Sequence, residues 1–281
     1  MRSGEAFFAA YDAVLAQWPV AVDAVDVSSV YGVTRVHIAG RTDAPPLVVL
    51  HGGGATSTVW YANAADLTGT HRIYAPDIIC DVGRSVPSDR PVRTRDDLMA
   101  WLDAVLQGLS LDSADLCGHS YGGWIALSYA LHAPTRVTKL ALLDPTECFA
   151  GFRPTYLLHA LPLLVRPSAQ RQRRLLSWET GGRSINTAWL DLIALGAELP
   201  RPKIVRARRP ASAQLQTLQT PTLVLLGETS KAHDVDKVAA HGRRLLPNAV
   251  LEVLPGASHH SIPTYDPAEL SRRLSTFLTH R

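Results

Sequence analysis

Short apolar runs alternate with amphipathic segments along most of this chain. Residues 33–39 alternate between apolar and polar positions, as in a half-buried strand. Residues 46–52 are almost continuously apolar, which is typical of a strand buried on both faces. The pattern predicts strands at 33–39, 46–52, 72–77, 114–119, 137–144, 221–227 and 249–256, and helices at 58–67, 95–109, 121–133, 234–246 and 266–279.

This alternation predicts an α/β fold, in which a mostly parallel central sheet of about eight strands is flanked by helices. An amphipathic helix that ends at Trp18 and Pro19 precedes the first strands. Between Pro145 and Thr220 no convincing strand pattern appears. We therefore predict one core domain, formed by residues 1–144 and 221–281, with a helical cap inserted at 145–220.

Composition narrows the class of protein. The 281 residues are 46% hydrophobic and 19% charged, which is typical of a globular chain and excludes disorder. A net charge of +3 gives no reason to expect a nucleic acid or a membrane as partner. No apolar run is long enough to span a membrane, and the N-terminus is a poor signal peptide. The three scattered cysteines form neither a disulfide framework nor a metal-ligand pattern, so we expect a cytoplasmic protein.

Charge is unevenly distributed. The segment 145–220 contains eleven Lys and Arg against four Asp and Glu, about +7, which leaves about −4 for the rest of the chain. Such a segment is either a solvated helical face or a surface that attracts an anionic substrate. Its Trp178, Trp189 and the leucines between 157 and 164 are candidates to line or cover an acyl pocket.

Chemically useful residues follow several of the predicted strands. In an open α/β sheet, ligands bind outside the carboxyl ends of the strands. The strand at 46–52 leads into His51-Gly52-Gly53-Gly54, and the strand at 137–144 ends at Asp144. The strand at 114–119 leads into Gly118-His119-Ser120-Tyr121-Gly122-Gly123, and the last strand into Pro255-Gly256-Ala257-Ser258-His259-His260.

The Gly-x-Ser-x-Gly stretch predicts a nucleophile on a sharp strand-to-helix turn. Such a turn lifts the Ser120 hydroxyl clear of the sheet, and it places the following helix with its amides toward the reacting centre. A serine hydroxyl needs an adjacent base, and His259 follows the last strand on a turn that could return its imidazole over Ser120. A carboxylate is then required to orient the imidazole.

These ordered motifs, together with residues 75–85, resemble the serine hydrolases of the α/β-hydrolase fold over about residues 30–281. The resemblance implies that Ser120 is the nucleophile and His259 the base, with the adjacent His260 as the less favoured alternative; the histidine that is not the base would line the pocket or support the site. It also implies an oxyanion hole made by the backbone amides of Tyr121 and of Gly53, or alternatively Gly54. The inserted segment resembles the variable cap of that family.

The chain departs from the family at the acid. Most members place an aspartate three residues after the glycine that ends the seventh strand, where this chain has Ser230. Some relatives place the acid after the sixth strand, and Asp144 occupies that position. Asp144 is our first choice, followed by Asp234 and Glu228, and a site without an acid is the remaining alternative. Asp234 is also well placed to cap the next helix.

We therefore expect a serine hydrolase that needs neither cofactor nor metal and cleaves a small carboxylic ester, thioester or lactone through an acyl-enzyme. Its partner would be a small-molecule acyl substrate. Two alternatives stay open: a non-catalytic binder of small ligands, suggested by Ser230, and a sister chemistry such as C–C bond hydrolysis, acyl transfer or cofactor-free haloperoxidation. The acyl length and the oligomeric state do not follow from the sequence.

Overall fold

The computed structural model describes residues 3–200 and 204–280 of the chain. Within these residues, nine strands form a single sheet. They are β1 (Val22–Ser29), β2 (Gly32–Ala39), β3 (Pro46–Leu50), β4 (Arg72–Pro76), β5 (Val86–Pro87), β6 (Ala114–His119), β7 (Val137–Leu143), β8 (Thr222–Gly227) and β9 (Val250–Leu254). The order across the sheet is β1-β2-β4-β3-β6-β7-β8-β9, and the short β5 pairs with β2.

The sheet is mostly parallel, as expected. Strands β4, β3, β6, β7, β8 and β9 run in the same direction, whereas β1 and β2 form an antiparallel hairpin that joins β4. Every residue of β6 and β8 is buried, including the polar Asp115 and His119 of β6. Because the carboxyl ends of parallel strands meet at one edge, the loops that follow β3, β6, β7, β8 and β9 converge there.

Helices cover both faces of the sheet. Trp101 and Trp124 are buried in the apolar layer on one face, and Phe7 and Trp60 are buried in the layer on the other. The helices are α1 (Ser3–Leu15), α2 (Ala64–Thr68), α3 (Arg95–Gly108), α4 (Tyr121–His132), α5 (Pro154–Val165), α6 (Ala169–Glu179), α7 (Thr187–Gly196), α8 (Ser212–Gln216), α9 (Val235–Leu245) and α10 (Pro267–Thr279).

The single helix predicted at 58–67 is wrong in detail. A 3₁₀ turn at Ser57–Ala62 precedes the short α2, and Asn63 separates them. The Asn63 amide donates to the carbonyl of Trp60, and its side chain donates to Ser271 in α10. Asn63 thus ends the 3₁₀ turn with its backbone amide and contacts α10 with its side chain.

Within the described residues of the segment 145–220, the regular structure consists of helices α5 to α8, joined by irregular loops and without a strand. Helix α6 packs on α5 and α7, and the N-terminal α1 packs on α7. A Cβ atom on Gly196 of α7 would lie 3.2 Å from the Phe7 ring of α1, so these two helices are in close contact. The division into a core and a cap domain stays a prediction. Among the described helices, none combines the length and the apolar character needed to cross a bilayer.

Candidate active site

Ser120 lies on a strained turn between β6 and α4. Its backbone has φ 52° and ψ −114°, a left-handed conformation that costs a non-glycine residue about 1–3 kcal/mol. Two glycines make the turn possible. A Cβ atom on Gly118 would lie 2.3 Å from the carbonyl oxygen of Gly122, and one on Gly122 would lie 2.4 Å from the carbonyl oxygen of Leu50. A side chain at Gly118 or Gly122 would therefore collide with the backbone, as the sequence predicted.

The turn brings the Ser120 hydroxyl to His259. The Ser120 Oγ and the His259 Nε2 are 2.9 Å apart, although 139 positions separate the two residues. His119 supports this arrangement because its Nε2 donates to the His259 carbonyl oxygen over 2.8 Å. Burial and the nearby His259 lower the pKa of His119 to about 3, so His119 is a neutral donor at pH 7.

Asp144 completes the hydrogen-bonded chain. Its Oδ2 lies 2.6 Å from the Nδ1 of His259, and the carboxyl group is fully buried. The other two candidate acids have different partners. Asp234 accepts a hydrogen bond from the backbone of Lys237 and caps α9, and Glu228 accepts one from the backbone amide of Gly256. The geometry therefore brings Asp144, and neither of its two rivals, into the line of Ser120 and His259.

The loop after β8 supplies further donors to Asp144. Ser230, which occupies the usual acid position of the family, donates its hydroxyl to Oδ2 over 2.8 Å. The Gly227 amide and the His233 Nε2 each lie 3.0 Å from Oδ1. Burial opposes ionisation of Asp144, but His233 and the hydrogen bonds from His233 and His259 outweigh it and hold the pKa of this carboxyl well below its usual range.

The candidate oxyanion hole lies between the β3 loop and the start of α4. A Cβ atom on Gly53 would lie 3.6 Å from the Cβ of Tyr121, so the two residues are neighbours beside Ser120. The alternative, Gly54, is less suitable because its amide already donates to the Asp81 carboxylate over 2.7 Å. The geometry favours Gly53 over Gly54 as the partner of Tyr121.

Two further residues at this site escaped the sequence analysis. His233 lies 3.0 Å from Asp144 Oδ1, in a loop without a recognisable motif. Glu179, the last residue of α6, is 1% exposed and accepts hydrogen bonds from the loop that contains His259. His260, the second histidine of that loop, contacts the hydroxyl of Tyr156 over 3.0 Å. A histidine or glutamate without a motif around it offered no signal in the sequence.

Helix α5, the first helix of the inserted segment, covers the site. The buried Tyr156 ring lies 6.3 Å from the His259 ring and is stacked on Phe152, with centroids 5.3 Å apart. The side chain of Ser120 is correspondingly secluded, since the residue is only 8% exposed. A reacting group here would therefore lie among aromatic side chains and largely away from bulk water.

One cluster at the site has the donor atoms for a metal ion. The ligand atoms of Asp144, His233 and His259 lie within 4.8 Å of one another. In the structure these atoms already pair with each other, since both imidazoles lie within hydrogen-bond distance of the same carboxylate. A cation would have to displace both contacts, so the donor set fits a histidine–carboxylate network better than a metal centre.

Comparison with known proteins agrees with this geometry. The family model for the alpha/beta hydrolase family matches residues 47–273. Carboxylesterase YbfK from Bacillus subtilis (strain 168) is 30% identical over 99% of this chain and 95% of its own length. The uncharacterized carboxylesterase nap from the same organism is also 30% identical, over 92% of this chain and 87% of its own.

Solved structures give the same result. The crystal structure of carboxylesterase CesB (YbfK) from Bacillus subtilis superposes with a TM-score of 0.92 and covers 99% of both chains at 30% identity. That of naproxen esterase (carboxylesterase NP) from Bacillus subtilis has a TM-score of 0.91 at 29% identity and also covers 99% of both chains. From its sequence, its sheet and its Ser120 turn, the chain belongs to the alpha/beta hydrolase family.

Proposed function

We propose that this protein is a carboxylic ester hydrolase that works through an acyl-enzyme on Ser120. The observation that supports it is the unbroken hydrogen-bonded line from Ser120 Oγ through the His259 imidazole to Asp144, at 2.9 and 2.6 Å. Nucleophile, base and orienting acid are thus within reach of one another. The similarity to two carboxylesterases over most of the chain supports the same reaction class.

In the proposed reaction, Ser120 attacks the acyl carbon while His259 removes its proton. The carbonyl oxygen becomes an oxyanion, which the amides of Gly53 and Tyr121 stabilise; one such donor contributes about 3 kcal/mol. His259 then returns the proton to the leaving alcohol, and the acyl group stays on Ser120. A water molecule activated by His259 releases the acid. Asp144 stays ionised throughout and stabilises the imidazolium, which its lowered pKa permits.

The substrate we propose is a small carboxylic ester, with thioesters and lactones as chemically related possibilities. The secluded Ser120 and the stacked rings of Phe152, just before α5, and Tyr156, within α5, favour an apolar acyl group over a charged one. The chain itself supplies the nucleophile, the base and the oxyanion donors, so the proposed reaction requires no cofactor. The inserted segment 145–220 would act as a cap over the acyl group.

We further propose a cytoplasmic location. Cys80, Cys117 and Cys148 are free and buried. Burial raises the pKa of Cys80 to about 11 and that of Cys117 to about 12, so these thiols are unreactive packing groups. Free thiols of this kind are compatible with a reducing compartment.

Labelling and hydrolysis together test the proposed function. We expect a fluorophosphonate probe to label the wild-type protein at Ser120 and to leave Ser120→Ala unlabelled. A panel of p-nitrophenyl esters of graded acyl length should be hydrolysed by the wild type only. Wild-type protein that stays unlabelled, or Ser120→Ala that is still labelled, would contradict the proposal. Tight binding of a small carboxylic acid without ester cleavage would favour the non-catalytic alternative.

A further inference from the structure

Helix α6 ends in a buried carboxylate, which is unfavourable for two reasons. Glu179 is its last residue, where the negative end of the helix dipole repels an anion. The residue is also only 1% exposed, so its charge has lost most of its hydration. A position that combines both costs needs strong compensation, or a role that requires the charge.

The compensation comes from the loops of the candidate active site. One Glu179 oxygen, Oε1, accepts from the amide of His259 over 2.9 Å and from the amide of Lys231 over 3.2 Å. The other, Oε2, accepts from the Ser258 hydroxyl over 2.8 Å and from the amide of His260 over 3.1 Å. A single carboxylate therefore holds three consecutive residues of one loop and one residue of another.

The two loops have different tasks in the proposed mechanism. The loop after β9 contains His259, and the loop after β8 contains Ser230 and His233, which contact Asp144. Lys231 adds a second attachment, because its Nζ donates to the carbonyl oxygen of Trp178, next to Glu179. The C-terminal end of α6 thus joins the base and the surroundings of the acid.

We propose that Glu179 is a positioning residue for the base: its carboxylate sets the loop of His259 relative to Ser120 and adds a negative charge beside the imidazole. This inference rests on the proposed function. It assigns the segment between β7 and β8 a direct part in assembling the catalytic residues, besides covering the substrate. A displacement of the imidazole by about 1 Å lowers the rate roughly 100-fold, so such positioning is consequential.

The charge of Glu179 has a separate consequence for pH dependence. Burial opposes its ionisation, but His260 and His259 outweigh burial and lower the pKa of Glu179. By the same attraction, ionised Glu179 favours the protonated form of the base. The titratable groups around His259 are Asp144 after β7, His119 in β6, Tyr156 in α5, Glu179 in α6, His233 after β8 and the adjacent His260.

The decisive variant is Glu179→Gln, with Glu198→Gln as the matched control. Glu198 is another glutamate of the inserted segment, but it is exposed and accepts its hydrogen bond from the Ala169 amide. We expect Glu179→Gln to lower kcat on p-nitrophenyl butyrate about 10- to 100-fold and to change KM less than about threefold. The acid limb of its kcat/KM profile should move to lower pH, because a charge that favours the protonated base is gone.

Rates must be expressed per active site, counted by fluorophosphonate labelling. A purely structural role would lower the melting temperature and the labelled fraction, and leave the acid limb in place; that result would overturn the proposal. So would a kcat per labelled site within about twofold of Glu198→Gln. Wild-type protein that is not labelled at Ser120 would instead refute the proposed function, so the two failures are distinct.

A second variant covers the case in which Glu179→Gln does not fold. Glu179→Asp keeps the charge but retracts it by one methylene from its four donors. We expect its acid limb to stay close to that of the wild type and its kcat per labelled site to fall by a smaller factor than in Glu179→Gln. A Glu179→Asp protein with the kcat of the wild type would overturn the proposal.

Discussion

Asp144 is held at its place by more contacts than orienting one imidazole requires. Besides His259, the Gly227 amide, the Ser230 hydroxyl and the His233 imidazole lie within 3.0 Å of its two oxygens. A buried carboxylate with several donors stays ionised, as its lowered pKa indicates. The donor from Ser230 is notable because that residue occupies the position where most family members have the acid itself.

Replacing the acid at Asp144 tests this assignment. In Asp144→Asn, the amide can turn its NH₂ toward His259 and stabilise the wrong tautomer, so we expect kcat to fall about 10⁴-fold. Some hydrolysis should persist, because the oxyanion donors remain. The measurement is kcat on a p-nitrophenyl ester, per site counted by fluorophosphonate labelling.

The control carries the same substitution at the rival acid. Asp234→Asn keeps a good N-cap residue on α9, because asparagine caps a helix as well as aspartate does. We expect its kcat to lie within about twofold of the wild type. A large loss in Asp234→Asn together with a small loss in Asp144→Asn would show that the acid has been misassigned.

The sequence determines some residues of the site better than others, for physical reasons. Ser120 and His259 each follow a strand, on turns that contain glycine. Glycine is needed where a side chain would collide with the turn, so its position in the sequence marks these turns. The choice among Asp144, Asp234 and Glu228 was open, because all three follow parallel strands and only the loop conformation decides which reaches the imidazole. Glu179 was out of reach, since nothing in its helix indicates which loop its carboxylate faces.

At the scale of elements, the buried strands and the edge strand β9 were predictable, and the exposed edge strand β1 was not. The predicted strand at 114–119 coincides with β6, in which every residue is buried. Strand β1 was missed because it pairs on one side only, with β2, and most of its residues are exposed. A strand has a recognisable apolar pattern only where its side chains pack against other elements, because only burial requires apolar residues.

Helix α1 illustrates a contact that periodicity does not predict. Its apolar face was recognisable, but it packs on α7 of the inserted segment and on the 3₁₀ turn at Ser57–Ala62, and its Tyr11 ring lies 5.8 Å from that of His37 in β2. The Tyr11 hydroxyl donates to the Asp77 carboxylate over 2.8 Å, while Phe7 packs against Gly196 of α7. Helix α1 therefore connects the sheet with the segment that contains Glu179.

Two adjacent phenylalanines of α1 test this connection. Phe7 is fully buried, whereas its neighbour Phe8 is 38% exposed. We expect Phe7→Ala to lower the free energy of unfolding by about 3 kcal/mol, through lost burial and the cavity left beside α7, and Phe8→Ala to cost under about 1 kcal/mol. Urea denaturation of the two variants measures both losses. Equal losses would show that α1 is only loosely attached to α7.

For the whole molecule, buried histidines determine how stability depends on pH. Burial lowers the pKa of His37, and burial together with His259 lowers that of His119 to about 3. In the unfolded chain these groups take up protons near pH 6.5, whereas in the folded chain they take them up only at lower pH, near 3 for His119. Unfolding therefore binds protons in this window, and stability falls as the pH drops. Asp144 and Glu179, whose pKa values are also lowered, add to the loss below about pH 4.

His233 acts in the opposite sense at higher pH. Burial disfavours its charged form, but the Asp144 carboxylate outweighs burial and raises the pKa of His233 above its usual value. The stability that His233 contributes is fully present below the pKa that this histidine has in the unfolded chain. That stability is lost as the pH rises through the higher pKa that His233 has in the folded chain. Below about pH 6.5 the contribution of His233 to stability no longer changes with pH. It therefore does not oppose the loss of stability that His37 and His119 cause as the pH drops.

His119 provides the test of this dependence. Between pH 7 and pH 5 it alone should account for about 2 kcal/mol of lost stability, because each bound proton contributes about 1.4 kcal/mol per pH unit below 6.5. In His119→Gln the amide can still donate to the His259 carbonyl oxygen, but it binds no proton on unfolding. Urea midpoints and m-values at pH 7, 6 and 5 should therefore show a shallower fall than in the wild type. His132→Gln is the control, since this exposed side chain meets water in the folded and the unfolded chain alike. If His119→Gln and His132→Gln retain the same pH dependence, the acid sensitivity does not come from His119.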